Sequence, residues 1–217
     1  AVRRRLHNTV QALKGNIRVF CRIRPALGER EAAHGAVLAP GRPGRPGSVG
    51  ERVELAERVA PRAGGRGQPA SAFTFDKVFG PADGQAQVFG EIQGLVQSAL
   101  DGYRVCIFAY GQTGSGKTHT MSGPPARGGA RGGGPDDGVI PRAVDMIFAQ
   151  LGERERRGWR HEVRVSLLEI YNEALRDLLE DPAAPARRLE IKHADGGRLA
   201  HVANLNTFSV PLRALTP

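Results

Sequence analysis

The stretch that most limits what this chain can fold into is CIFAYGQTGSGKTHTM, residues 106–121. Gly111, Gly116, Lys117 and Thr118 satisfy the spacing Gly, four residues, Gly-Lys-Thr. A loop of this kind holds phosphate when it leaves a strand and opens a helix. Its backbone N–H groups then converge on one point, and the helix N-terminus adds its positive end. Residues 105–109 are a short apolar run of the type buried in a parallel sheet, and a helix-compatible segment follows the loop. The glycines keep Cβ atoms out of the concavity. In that geometry Lys117 reaches the β- and γ-phosphates as a compact charge, and the Thr118 hydroxyl ligates Mg²⁺. A chance match in a chain of this size is roughly one in a hundred. A glycine turn without a ligand has no need of the strand, the helix and the lysine together.

Composition narrows the setting. A chain of 217 residues with 40% apolar residues can bury one sizeable core. No apolar run nears the roughly 20 residues of a membrane span, and the basic N-terminus lacks the apolar stretch of a secretory signal. The net charge of +9 predicts attraction to something acidic, with nucleic acid, an anionic membrane and an acidic protein polymer all eligible. Lysine occurs only at positions 14, 77, 117 and 192, so Lys117 stands out in a chain that otherwise uses arginine. Cys21 and Cys106 each sit in an apolar run without a metal-ligand neighbour at usable spacing, which predicts two buried thiols.

The patterning predicts alternating strands and helices, hence an α/β domain. Val2, Leu6, Val10 and Leu13 mark a helix over residues 2–14, stopped at Gly15. Its narrow apolar stripe fits either a coiled-coil end or a helix docked on the domain. NIRVFCRIRP alternates as a strand ended by Pro25. Residues 39–70 read as a surface insertion, with a short strand near 53–55. AFTFDKVFG resumes as strand and turn. Val88, Phe89, Ile92, Leu95, Val96 and Leu100 share one helical face over 85–100, closed by Asp101-Gly102. A second glycine-rich loop covers 122–138, and Pro141 suits the first turn of a helix over 141–151. HEVRVSLLEIY reads as one strand, NEALRDLL as a helical turn, and RRLEIKH and LNTFSV as two further strands.

Other nucleotide-binding families leave marks that this sequence lacks. No lysine lies in the Asn-Lys-x-Asp setting of a GTPase, and the transporter signature Leu-Ser-Gly-Gly-Gln is absent. The nearest approach to a helicase strand, VSLLE ending at Glu169, reads as an ordinary core strand. The flanks are more specific. GYRVCIFAY before GQTGSGKTHTM, NIRVFCRIRP and FTFDKVF upstream, and GVIPRAVDMIF and LLEIYNEALRDLL downstream together closely resemble the kinesin motor domain, in its order. The likeness runs from Gly15 to about Val210, apart from the two glycine-rich loops. LHNTVQALKGNIRVFCRIRP resembles the neck-to-motor junction of the C-terminal-motor, minus-end-directed spindle class.

The resemblance implies a P-loop NTPase three-layer fold of kinesin type, with residues 1–14 as a neck helix ending a coiled-coil stalk and 15–217 as the N-terminal part of the motor. It makes Gly111, Gln112, Thr113, Gly114, Ser115, Gly116, Lys117 and Thr118 the phosphate loop for ATP or ADP, with Thr118 on Mg²⁺. Arg22, Arg24 and Pro25 match the family's adenine-side Arg-x-Arg-Pro element, and His119 takes the place of a side chain packed on the base. Judged by their own residues alone, the arginines form a solvated strand face and His119 a helix surface. Glu169, Asn172 and Glu173 are assigned to strand-end structure and helix capping. Implied partners are microtubules and a second copy through the stalk, with no specific nucleic acid and no membrane. The implied location is the cytoplasmic microtubule cytoskeleton and mitotic spindle.

The family's two switch motifs, Asn-x-x-Ser-Ser-Arg-Ser-His and Asp-Leu-Ala-Gly-Ser-Glu, do not occur in this sequence. Switches position the attacking water and sense the γ-phosphate. The expectation is therefore a chain that binds nucleotide without turnover, with apolar strand edges lacking neighbours. A non-catalytic nucleotide-binding or interaction module derived from a motor is the other reading.

Overall fold

The computed structural model describes residues 2–28, 37–40, 51–56, 71–124, 134–183, 185, 187–194 and 199–211. Most of the expected insertions at 39–70 and 122–138 lies outside these residues. The chain divides into two compact units, Ala1–Ile147 and Phe148–Pro217.

In the first unit, helix α1 (Val2–Leu13) precedes strand β1 (Phe20–Arg22). Gly15 takes a left-handed φ of 92° and returns its N–H to the Ala12 carbonyl at 3.1 Å, so the predicted stop is real. Strands β2 (Val37–Pro40), β3 (Glu51–Ala56) and β4 (Ser71–Phe75) form an antiparallel sheet in the order β2-β3-β4. Strand β5 (Lys77–Phe79) then pairs with β1 in parallel, Phe20 opposite Lys77 and Arg22 opposite Phe79. Ile23 extends that ladder by donating to the Phe79 carbonyl at 2.8 Å. Ile23, Val53 and Val78 form one buried cluster, with Cys21 and Phe75 against it. Burial pushes the Cys21 thiol pKa up.

Helix α2 (Gln85–Leu100) buries Val88, Ile92 and Val96, as its spacing predicts. Phe79, Val88, Ile92 and the distant Val139 form a second cluster, with Phe20, Ile107 and Met121 packed on it. Each such aliphatic burial contributes about 1.5–3 kcal/mol before entropy is counted. Gly102 at φ 99° ends the helix. Its N–H reaches the Ala99 carbonyl at 2.9 Å, and Tyr103 N–H reaches Ser98 at 3.0 Å, a Schellman closure.

Between its two possible roles, α1 adopts the docked one here, and it does so with its polar face. Arg3 pairs with the buried Asp101 at 3.0 Å, Asn8 donates to the Tyr103 hydroxyl at 2.8 Å, and His7 Nε2 lies 3.1 Å from the Gly94 carbonyl. Val2, Leu6, Val10 and Leu13 remain exposed.

Residues 105–109 correct an expectation. The run, expected as a buried strand, joins no ladder among the described residues. Phe108 is 86% exposed and Tyr110 wholly so, and Cys106 is exposed rather than buried. Apolar composition states a demand for strand neighbours; the described strands pair elsewhere and leave that demand unmet. Helix α3 (Lys117–Ser122) follows the loop. Helix α4 (Val139–Arg156) has Pro141 in its first turn, as predicted, and runs five residues beyond the expected end at 151. Gly158, at φ 84°, closes it.

The second unit is built of antiparallel pairs. The expected single strand over HEVRVSLLEIY is two, β6 (Val163–Val165) and β7 (Leu168–Tyr171). The expected helical turn in NEALRDLL is instead strand β8 (Ala174–Asp177), which pairs with β7 as a hairpin. Asn172 and Glu173 both adopt positive φ, 48° and 63°, as a two-residue type I′ turn requires. These residues therefore serve strand-end structure, and the helix-capping expectation is wrong. Strands β9 (Glu190–Ala194) and β11 (Phe208–Val210) lie where predicted; β10 (Leu199–Ala203), paired with β9, was not foreseen. β11 pairs with β6. Arg164 on β6 grips Glu162 through two N–H donors at 2.8 and 2.9 Å.

Candidate nucleotide-binding site

Glycine chemistry forms the loop and the helix start. Gly114 and Gly116 have φ of 80° and 100°, a region L side chains rarely adopt. Gly116 caps α3 without a side-chain bond, and Thr120 N–H returns to its carbonyl at 2.9 Å. A Cβ at Gly111 would lie 2.5 Å from Ser115 Oγ, whereas one at Gly114 would meet nothing within 4 Å. The loop is thus tight at its entry and open at its crown.

Lys117 folds over this arch, donating from Nζ to the carbonyls of Gly111 and Gln112, each at 2.9 Å. An ammonium held by two loop carbonyls, beside an exposed Thr118, is a donor set suited to a phosphate chain and a hard cation. The residues present fit Mg·nucleotide in chemical type.

The strand β1 side meets the loop. A Cβ at Gly116 would stand 3.8 Å from Arg24 Cδ. Arg22 NH1 donates to Thr120 Oγ1 and to Gln85 Oε1, both at 3.0 Å. Burial lowers the Arg22 pKa from its ordinary value, and the negative charge of Asp83 works against that shift. Of the two arginines named from the sequence, Arg24 lies beside Gly116 of the loop, and Arg22 bonds to Thr120 on α3 and to Gln85 at the start of α2. Pro25 and His119 are exposed, with the His119 carbonyl accepting from Gln85 Nε2 at 2.7 Å. Gln85 and Thr120 were missed. The available signal was a polar residue at 85 on the apolar face that continues with Val88 and Ile92.

The base of α3 is fixed by close backbone packing. Gly123 has φ 85°, and a Cβ there would fall 2.6 Å from the Asp136 carbonyl oxygen. A Cβ at Gly138 would fall 2.6 Å from Gly123 N and from the Met121 carbonyl. Arg142 holds the same corner by donating to the carbonyls of Asp137 and Pro135, each at 2.7 Å.

A family model described as microtubule binding matches residues 1–179. The human kinesin-like protein KIFC1 is 52% identical over 82% of this chain, and carboxy-terminal kinesin 2 of Xenopus laevis is 46% identical over 96%. The chain spans 26% and 31% of their respective lengths. Among solved structures, the C-terminal motor and motor homology domain of Kar3Vik1, fused to a synthetic heterodimeric coiled coil, superposes with a TM-score of 0.79 at 37% identity. That match covers 97% of this chain and 50% of the other. The Saccharomyces cerevisiae Kar3 motor domain gives a TM-score of 0.71 at 36% identity, covering 90% of this chain and 54% of that one. The fold is therefore the α/β P-loop NTPase fold of kinesin motors. Matched across most of its length by that family model and by these relatives, the chain belongs to the kinesin motor family, in its C-terminal-motor class, and carries part of the motor domain.

Proposed function

We propose that this chain is the ATP-binding part of a microtubule motor. In the complete protein, ATP hydrolysis would drive minus-end-directed movement and spindle organisation. The observation that carries the reading is the glycine arch from Gly111 to Gly116, running into α3 with Lys117 closed over it. When bound, Mg·ATP supplies the phosphoryl group and a hard Lewis acid. Lys117 holds the β- and γ-phosphates, Thr118 offers its hydroxyl to the cation, and the loop N–H groups orient the chain. Arg22, Arg24, Pro25 and His119 serve the adenine end, with Arg24 and Arg22 placed beside α3. The exposed stripe of α1 suits a neck that continues into a two-stranded coiled coil with a second copy. The location that follows is the microtubule cytoskeleton, including the spindle.

The 217 residues alone bind nucleotide without turnover, because the sequence has neither switch motif. That same observation favours the second reading, a motor-derived nucleotide-binding or interaction module. Calorimetry with Mg·ADP tests the site: Lys117→Ala is expected to abolish binding, and equal binding by variant and parent would falsify the assignment. Phosphate release from Mg·ATP with and without microtubules tests turnover. No stimulation is expected from this chain, and measurable stimulation would overturn the statement that it lacks turnover.

A further inference from the structure

Gln85 is 5% exposed at the first position of α2, and both ends of its amide are engaged. Oε1 accepts from Arg22 NH1 at 3.0 Å, and Nε2 donates to the His119 carbonyl at 2.7 Å. The same Arg22 nitrogen donates to Thr120 Oγ1 at 3.0 Å. One buried amide therefore joins β1, the start of α2 and the middle of α3. Its orientation is dictated by its partners, since a flipped amide would set N–H against guanidinium and oxygen against carbonyl.

This link matters because α3 is six residues long and has no buried residue of its own. Met121, in its last turn, packs on the cluster of Phe79, Val88, Ile92 and Val139, whereas its first turn, residues 117–120, carries no apolar side chain. The polar clasp at His119 and Thr120 constrains that first turn, and Met121 with the glycine contact holds the far end. Lys117, Thr118 and the Gly116 cap move as one piece with the His119 carbonyl, because all belong to the same one and a half turns.

We propose that Gln85 is a positioning residue of the phosphate site. It holds α3 at a set height against β1, so that Lys117 and the loop N–H groups present the geometry a nucleoside di- or triphosphate needs. The inference rests on the nucleotide reading of the loop. Binding loses strength when donors are displaced by even a fraction of an ångström, so a residue that touches no ligand can govern affinity.

The test uses the full chain and calorimetry with Mg·ADP. Gln85→Glu keeps the shape and the acceptor toward Arg22 but sets an oxygen against the His119 carbonyl. Its affinity is expected to fall about tenfold, the scale of one buried hydrogen bond lost. Val96→Ala, buried further along α2 and outside the cluster that takes Met121, lowers the melting temperature but is expected to leave affinity within about twofold. Should Gln85→Glu not fold, Gln85→Met removes both bonds without a charge, and the same tenfold loss is expected. Unchanged affinity in whichever variant folds, or an equal loss in Val96→Ala, overturns the proposal. Lys117→Ala measured in parallel separates the two levels. If it binds as the parent does, the nucleotide reading fails; if it alone loses binding, only the role of Gln85 fails.

Discussion

Helix α2 and residues 103–110 are both apolar, and both belong to the first unit, yet they end differently. The helix buries Val96 and sinks Val88 and Ile92 into a cluster that also takes Phe79 and Val139. The extended run half-buries Val105, Ile107 and Ala109 on one side and leaves Phe108 and Tyr110 facing outward. A helix satisfies its own backbone and needs one surface to cover one stripe. A central strand needs a neighbour on each edge and cover on both faces. The difference teaches that apolarity in a strand encodes partners, and the solved motor domains to which this chain is similar contain about twice its length.

The comparison can be broken by mutation. The largest effect is expected from Ile92→Ala, at about 2–5 kcal/mol of destabilisation in denaturant unfolding, because the cavity would open inside a packed cluster. A loss below about 1 kcal/mol would mean that α2 is not the organising element described here. Phe108→Ala is the contrasting case. Its ring is already in solvent, so stability is expected to stay within about 0.5 kcal/mol of the parent. A core-sized loss would show that the ring is covered in solution, and the contrast between the two stretches would collapse.

The smallest effect lies in the second unit, at Glu162. Two hydrogen bonds from Arg164 and one from Ser209 hold its carboxyl pKa below the ordinary value. A lowered carboxylate pKa contributes stability above the unfolded-state value and loses it as the pH falls through the native one. At so exposed a pair the energetic consequence is slight. The titration midpoint of Glu162, followed by NMR, is expected to rise in Arg164→Gln; an unmoved midpoint would show that the pair does not persist in solution.

Much of this architecture was legible because local chemistry decides it. Gly15, Asp101-Gly102 and Pro141 mark helix ends that depend on φ and on a missing N–H, and the phosphate loop carries its own glycines. The misreadings came where a distant partner decides. NEALRDLL contains good helix formers, but β7 offers a ladder, and Asn172-Glu173 can turn left-handed between them. LAHVA reads weakly until β9 lies beside it. Cys106 follows the fate of its unpaired run. In the site, the loop residues announced themselves, whereas Gln85 and Thr120 act through bonds that span 63 and 98 residues of sequence to Arg22.

The close approach of Gly123 and Gly138 sets how this part of the chain tolerates change. A Cβ added at Gly138 would fall 2.6 Å from Gly123 N, and one at Gly123 would fall 3.0 Å from Gly138 N, so the two ends of the intervening segment lie side by side. For a loop with joined ends, doubling the length adds only about 0.6 kcal/mol of closure entropy. Insertions and deletions there are nearly silent thermodynamically, while a single methyl at either glycine is not. A change of length between the two glycines is therefore expected to cost far less stability than a side chain at either of them.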